Sequence, residues 1–139
     1  MRVECFLDTN VLVYAASSSK ADAGKQDRAL KLIQHADFGL SAQVLQEFYV
    51  TMTRKLKTPM APEIAVALME EYRAFPTAPT DYQLIVAAAE ISLQHGISYW
   101  DGAIIAAAEI LQARVLYTED LNHGQRYGSV RVENPFRDI

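Results

Sequence analysis

Short apolar runs, each ending on a polar residue, alternate along this chain with longer stretches of helical periodicity. The first run is the sharpest. Val3–Asn10 reads VECFLDTN, in which Cys5, Phe6 and Leu7 run straight into Asp8, Thr9 and Asn10 before the apolar residues resume at Val11. A short apolar run bounded by a polar cluster is the pattern of a buried strand. Further short strands are expected at Phe38–Leu40, within Pro76–Pro79, at Val115–Thr118 and at Val130–Val132.

Between them the spacing predicts helices. A short one covers Val11–Ala16, with Asp8 to Asn10 available to cap it. Asp22–Ala36 is amphipathic, with Ala29, Leu30, Ile33 and Ala36 on one face, and Ser41 can cap a helix over Ala42–Leu56. Pro62–Phe75 carries Ile64, Ala67, Leu68 and Tyr72 at helical spacing. Tyr82–His95 stops at Gly96, a residue suited to a helix C-terminus. Trp100–Ala113 is alanine-rich, and Glu119–Ser129 reads as a loop. Alternating short strands and helices imply right-handed crossovers. The expected fold class is therefore α/β, a three-layer α/β/α domain over residues 1–139 with a mostly parallel sheet of about four or five strands.

Composition narrows the function. Half of the 139 residues are hydrophobic and 22% are charged, which fits a folded globular chain. No apolar run reaches the ~18 residues of a membrane span, and no basic-then-apolar leader opens the chain. The lone cysteine, Cys5, is expected as a buried thiol, which suits a reducing cytoplasm. A net charge of −4 excludes a chain-wide basic footprint for nucleic acid. Local basic groups remain at Lys20, Lys25 and Arg28 and at Arg54, Lys55 and Lys57.

Four acids carry the chemistry to be weighed. Asp8 follows the first strand and can cap the next helix or bind a ligand there. Glu47 lies opposite the Leu45/Phe48/Met52 stripe, the ordinary place of a solvated glutamate. Asp101 stands three residues after Ser98, the spacing of a capping box, and follows two large aromatics that could wall a pocket. Asp120 closes Val115–Asp120, a strand ending Thr-Glu-Asp much as the first ends Asp-Thr-Asn. In a parallel sheet, strand C-termini and helix N-termini share one edge, so Asp8, Asp101 and Asp120 can converge. Carboxylates at close quarters repel unless a cation neutralises them, and hard oxygen donors suit Mg²⁺ or Mn²⁺. Water activation and in-line attack on a phosphodiester is the chemistry such a site supports.

LDTNVLVYA at Leu7–Ala15, SAQVLQEF at Ser41–Phe48, YWDGAIIAAA at Tyr99–Ala108 and LYTEDLNHGQ at Leu116–Gln125 together resemble the four motif blocks of the PIN domain, most closely those of VapC-type toxins of type II toxin–antitoxin pairs. The resemblance spans essentially the whole chain. It implies a metal-dependent endoribonuclease, with Asp8, Glu47, Asp101 and Asp120 as catalytic metal-site acids and Mg²⁺ or Mn²⁺ as cofactor. Thr9, Asn10 and Thr118 would orient the carboxylates or a water on the metal. An RNA substrate, a cognate antitoxin and a homodimer are implied with it, and no membrane. One departure stands out. Where many relatives carry a further aspartate and an aromatic, this chain has His123 and Gly124. A supplementary metal contact is therefore open, with Glu119 and Asn122 nearby.

Other chemistries find less support. His35, His95 and His123 lack zinc spacing, and only His123 lies near the acidic edge. No glycine-rich phosphate loop occurs, and Asn10 spoils the Asp-x-Asp motif of haloacid dehalogenase-type phosphatases. The rival readings are a PIN nuclease of RNA processing or repair without an antitoxin, and a catalytically silent PIN-fold binding module.

Overall fold

In the computed structural model, which describes residues 2–139, the chain folds as a six-stranded sheet flanked by helices. β1 (Cys5–Leu7) leads into α1 (Thr9–Ala15), then α2 (Ala23–His35), β2 (Phe38–Ser41) and α3 (Ala42–Val50). A π-type turn, Thr51–Lys55, extends α3 and is followed by α4 (Pro62–Glu71), β3 (Thr77–Ala78), α5 (Tyr82–His95) and α6 (Tyr99–Ile110). β4 (Val115–Tyr117), β5 (Arg126–Tyr127) and β6 (Val130–Glu133) complete the order. The sheet runs β3-β2-β1-β4-β6-β5, and every pairing is parallel except β5 with β6.

Every residue of β1 and β2 is buried, which explains why these strands read as continuous apolar runs rather than alternating ones. The helices form two packed groups, α1 to α4 on the one hand and α5 with α6 on the other, α6 touching β2, β4 and β6. The expected three-layer α/β/α class is observed, with one strand more than the four or five expected. The additional strand is β5, two residues inside the segment expected as loop, where Arg126 and Tyr127 double back antiparallel onto β6. A hairpin of that length leaves too little periodicity to stand out in a sequence. No helix among the described residues is long and apolar enough to cross a membrane.

Two helix faces differ from expectation. Leu30 is 37% exposed, and the core side of α2 carries Ala29, Leu32 and Ile33. On α4, Ile64 is 55% exposed while Ala65, Leu68 and Met69 pack inward. In both helices an apolar residue on the outer side blurred the periodicity. The caps agree with expectation: Ser41 Oγ accepts from Val44 N–H at 3.2 Å, and Gly96 ends α5 at φ +64°, where only glycine is unstrained.

Gly102 shows why the Ala-rich α6 needs small residues. A Cβ there would stand 2.5 Å from the Ala88 carbonyl oxygen of α5 and 3.2 Å from Ser92 N, backbone atoms that cannot rotate away. Gly102→Ala is expected to destabilise the protein by about 1–3 kcal/mol, the usual cost of overpacking, despite alanine's better helix propensity. Urea unfolding would read this as a lower midpoint with an unchanged m-value; an unchanged midpoint would show that α5 and α6 can separate freely.

Candidate metal centre

β1 and β4 are parallel neighbours with Leu7 opposite Tyr117, so the residues leaving them, Asp8 and Thr118, emerge side by side. The chain steps from β1 to β2 and β3 on one side and reaches β4, β6 and β5 on the other. The carboxyl edge between β1 and β4 is thus the switch point of the sheet, where open α/β folds place their binding crevice. A cleft of about 430 Å³ opens there, lined by Asp8, Glu47, Glu119 and Asp120 among others.

Asp8 is 6% exposed and serves as the N-cap of α1. One carboxylate oxygen accepts from Thr9 N–H at 2.7 Å and the other from the Thr118 hydroxyl at 2.8 Å. Burial pushes its pKa up to about 7; the two hydrogen bonds oppose the shift, while the charges of Asp120 and Glu47 add to it. The cap role expected of Asp8 is formed, through its bond from Thr9 N–H.

Thr118 is fully buried and joins three segments. Its hydroxyl donates to Asp8 and accepts from Asn10 Nδ2 at 3.1 Å and from Asp120 N–H at 3.1 Å. Asn10 Nδ2 also donates to Asp120 at 3.2 Å, and its carbonyl oxygen accepts from Glu119 N–H at 3.4 Å. Asp120 is held by these bonds at the cleft mouth, its pKa raised by partial desolvation and by Glu119, Asp101 and Glu47 against the Asn10 contact. Glu47 faces the cleft too, accepting from the Thr9 hydroxyl at 2.7 Å. The solvated glutamate of the helical wheel is in fact half-buried, because α3 packs on α1.

The expected residues therefore fall into two groups. Asp8, Thr9, Asn10, Glu47 and Asp120 line one cleft, with Thr118 buried behind it. Asp101 does not line it, although its charge reaches Asp120. Ser98 Oγ accepts from Asp101 N–H at 3.0 Å, and no return bond from Ser98 N–H to the Asp101 carboxylate occurs among the described residues, so only half of the capping box forms. Among the described residues no three of His, Cys, Asp and Glu lie close enough to hold a cation jointly. The acids share a cleft without being drawn together.

Several expectations need correction. Tyr99 and Trp100 wall no part of this cleft; they pack edge-to-face on each other, and Trp100 is 64% exposed. His123 stays outside as well, its Nδ1 accepting from Asn134 N–H at 3.1 Å. Asn122 is engaged with Gln125. Glu119 accepts from Tyr14 OH at 2.7 Å and pairs with Lys25 at 3.4 Å, which occupies both of its oxygens. Cys5 is buried as expected, with its thiol pushed up to about 12. The cleft also takes in Tyr14, inside the first motif block but given no role there, and Ser17, Asp22, Thr51 and Lys55, which lie in none of the blocks. Lys55 alone carried a signal, as part of a basic group.

The PIN domain family model matches residues 5–128. Solved structures share the fold. VapC20 of Mycobacterium tuberculosis, described as a sarcin-ricin loop cleaving toxin, is 18% identical with a TM-score of 0.68, covering 84% of this chain and 90% of that one. FitAcB from Neisseria gonorrhoeae is 22% identical, TM-score 0.65, covering 96% and 99%. A toxin–antitoxin complex from Klebsiella pneumoniae is 13% identical, TM-score 0.71, covering 96% and 98%. No curated protein sequence matches.

Proposed function

The chain belongs to the PIN domain family, and from that premise we propose that it is a metal-dependent endoribonuclease acting as the toxin of a type II toxin–antitoxin pair. The observation that carries the reading is the cleft at the β1/β4 switch point, where Asp8, Glu47 and Asp120 face one space and Thr118 and Asn10 bind two of them. The sarcin-ricin loop cleavage described for the tuberculosis toxin and the toxin–antitoxin assembly of the Klebsiella protein support the same reading.

The donor chemistry fits Mg²⁺ or Mn²⁺: hard carboxylate oxygens with no thiolate or imidazole among them. Asp8, Glu47 and Asp120, spread along the cleft, would have to draw together to hold it. Asp101, outside the lining, would act through its charge at Asp120 unless α6 moved toward the cleft. Such an ion supplies charge stabilisation at the phosphoryl oxygens and acidifies water. The raised pKa of Asp8 supports this, because a buried carboxylate without a counter-ion resists charging. The chain's own residues do the positioning. Thr118 and Thr9 N–H hold the Asp8 carboxylate in one orientation, Asn10 holds Asp120, and the Thr9 hydroxyl holds Glu47. In this reading the protein works in the cytoplasm as a homodimer restrained by a cognate antitoxin.

Purified protein is expected to cut a structured RNA with Mg²⁺ or Mn²⁺ and to lose at least about 99% of that activity in EDTA, the loss of a stabilisation worth a few kcal/mol. Cutting that survives chelation would sink the metal-dependent reading. A catalytically silent PIN-fold module is the second reading, favoured by the acids being spread along the cleft and by His123 and Gly124 where relatives carry an acid and an aromatic. A folded protein that binds RNA and cuts under neither metal would establish it.

A further inference from the structure

α3 does not end as an ordinary helix. Thr51–Lys55 widens into a π-type turn, a local form that costs hydrogen-bond geometry and recurs at functional sites. Here the turn is held from outside. The Met52 side chain is 2% exposed, its carbonyl accepts from Met60 N–H at 2.8 Å, and the Thr53 hydroxyl donates to Tyr49 C=O at 2.7 Å.

Its consequence is angular. Glu47, Thr51 and Lys55 are spaced by four, and each four-residue step on an α-helix overshoots a full turn by about 40°. Two such steps would carry Lys55 about 80° away from Glu47. Within a π turn of about 4.4 residues the second step falls short by about 30° instead, which brings Lys55 back nearly over Glu47. All three residues line the cleft.

Lys55 is also the only cation among the described residues lining that cleft, against Asp8, Asp22, Glu47, Glu119 and Asp120. Lys25 is spent on Glu119 and Tyr14, whereas the Lys55 side chain makes no ion pair or hydrogen bond among the described residues. A polyanion entering an acid-lined cleft needs a positive anchor away from the acids. We propose that Lys55, aimed by the π turn, binds a phosphate of the RNA backbone beside the one at the acidic centre and so sets the register of the strand in the cleft. This inference rests on the nuclease reading for its substrate class, and its test separates the two.

RNA binding is measured by anisotropy of a labelled single strand in EDTA, over a range of salt, for the full chain, Lys55→Gln, Lys55→Arg and Lys57→Gln. Steady-state cleavage with Mg²⁺ runs in parallel. Lys55→Gln is expected to weaken binding about tenfold for all sequences alike and to lower the salt slope by about 0.7–1. It should raise KM about tenfold with kcat changed less than about threefold, since a contact made equally in ground and transition states acts on binding. Lys55→Arg should behave as the parent, and Lys57→Gln, outside the cleft, should change the affinity by less than about twofold. Parental affinity and slope in Lys55→Gln would overturn the inference, as would an equal loss in Lys57→Gln. Lys55-dependent binding without cleavage under any divalent ion would keep the phosphate contact and discard the nuclease. A chain that neither binds nor cuts RNA overturns both.

Discussion

An Asp8→Asn protein is expected to lose RNA cleavage by a factor on the order of a thousand while remaining folded. The substitution keeps the size of the side chain and removes the charge that a divalent ion would need. Its effect on stability has two opposing parts. Burial holds the Asp8 carboxyl at about 7 in the folded state, above its ordinary value of 3.8. Between those values the folded protein binds a proton that the unfolded chain has released, so without a cation stability falls as pH rises from about 4 to 7. At full weight this amounts to about 4 kcal/mol. Asparagine cannot titrate, so the variant should show a much flatter dependence of Tm on pH over that range in EDTA.

The opposing part is local. Both Asp8 oxygens accept hydrogen bonds, from Thr9 N–H and from the Thr118 hydroxyl, and an amide offers only one acceptor. One donor is then left facing an NH₂ group, at about 1–3 kcal/mol. In EDTA the variant should therefore be comparable to the parent near pH 5 and more stable than it near pH 8, where the charging cost of Asp8 exceeds the lost hydrogen bond. Thermal melts at the two pH values test this together with the cleavage assay. Retained cutting by a folded Asp8→Asn protein would remove Asp8 from the centre.

Thr118→Val carries the second large effect. The valine has nearly the same shape, but the hydroxyl it replaces is the shared partner of Asp8, Asn10 and Asp120. The buried Asp8 oxygen and the Asp120 N–H lose their bonds, at about 2–4 kcal/mol together, or roughly 10 °C in Tm for a chain of this size. Activity should fall about a hundredfold, the usual scale for losing a residue that orients metal-binding carboxylates. Because the Thr118 bond lowers the Asp8 pKa, its loss should also move the pH–activity profile to higher pH. Thr118→Ser restores the hydroxyl and should recover most of both losses. An acid limb unmoved in Thr118→Val would mean that Thr118 supports the fold alone.

Much of this protein was determined by local sequence. The strands that begin and end the site are short apolar runs closed by polar residues, and burial on both faces forces that composition. Ser41, Ser98 and Gly96 act at helix ends through bonds and backbone angles within a few residues. Asp8, Asn10, Thr118 and Asp120 were legible because they follow strands, and a parallel sheet carries strand C-termini to one edge.

Tertiary structure decided what depends on neighbours distant in the chain. Glu47 has the wheel position of a surface residue and faces the cleft only because α3 lies against α1, bringing Thr9 within a hydrogen bond 38 positions away. Glu119, a reserve acid in sequence terms, is paired with Lys25 and accepts a hydrogen bond from Tyr14, both on segments some hundred residues earlier. Asp101 shows the converse, since a motif match says nothing of how far α6 stands from β1. The π turn that aims Lys55 depends on Met52 and Met60, joined across a loop. Periodicity reports which face of an element is apolar; which elements meet, and what their polar faces then share, is set by packing free energy summed over the whole chain.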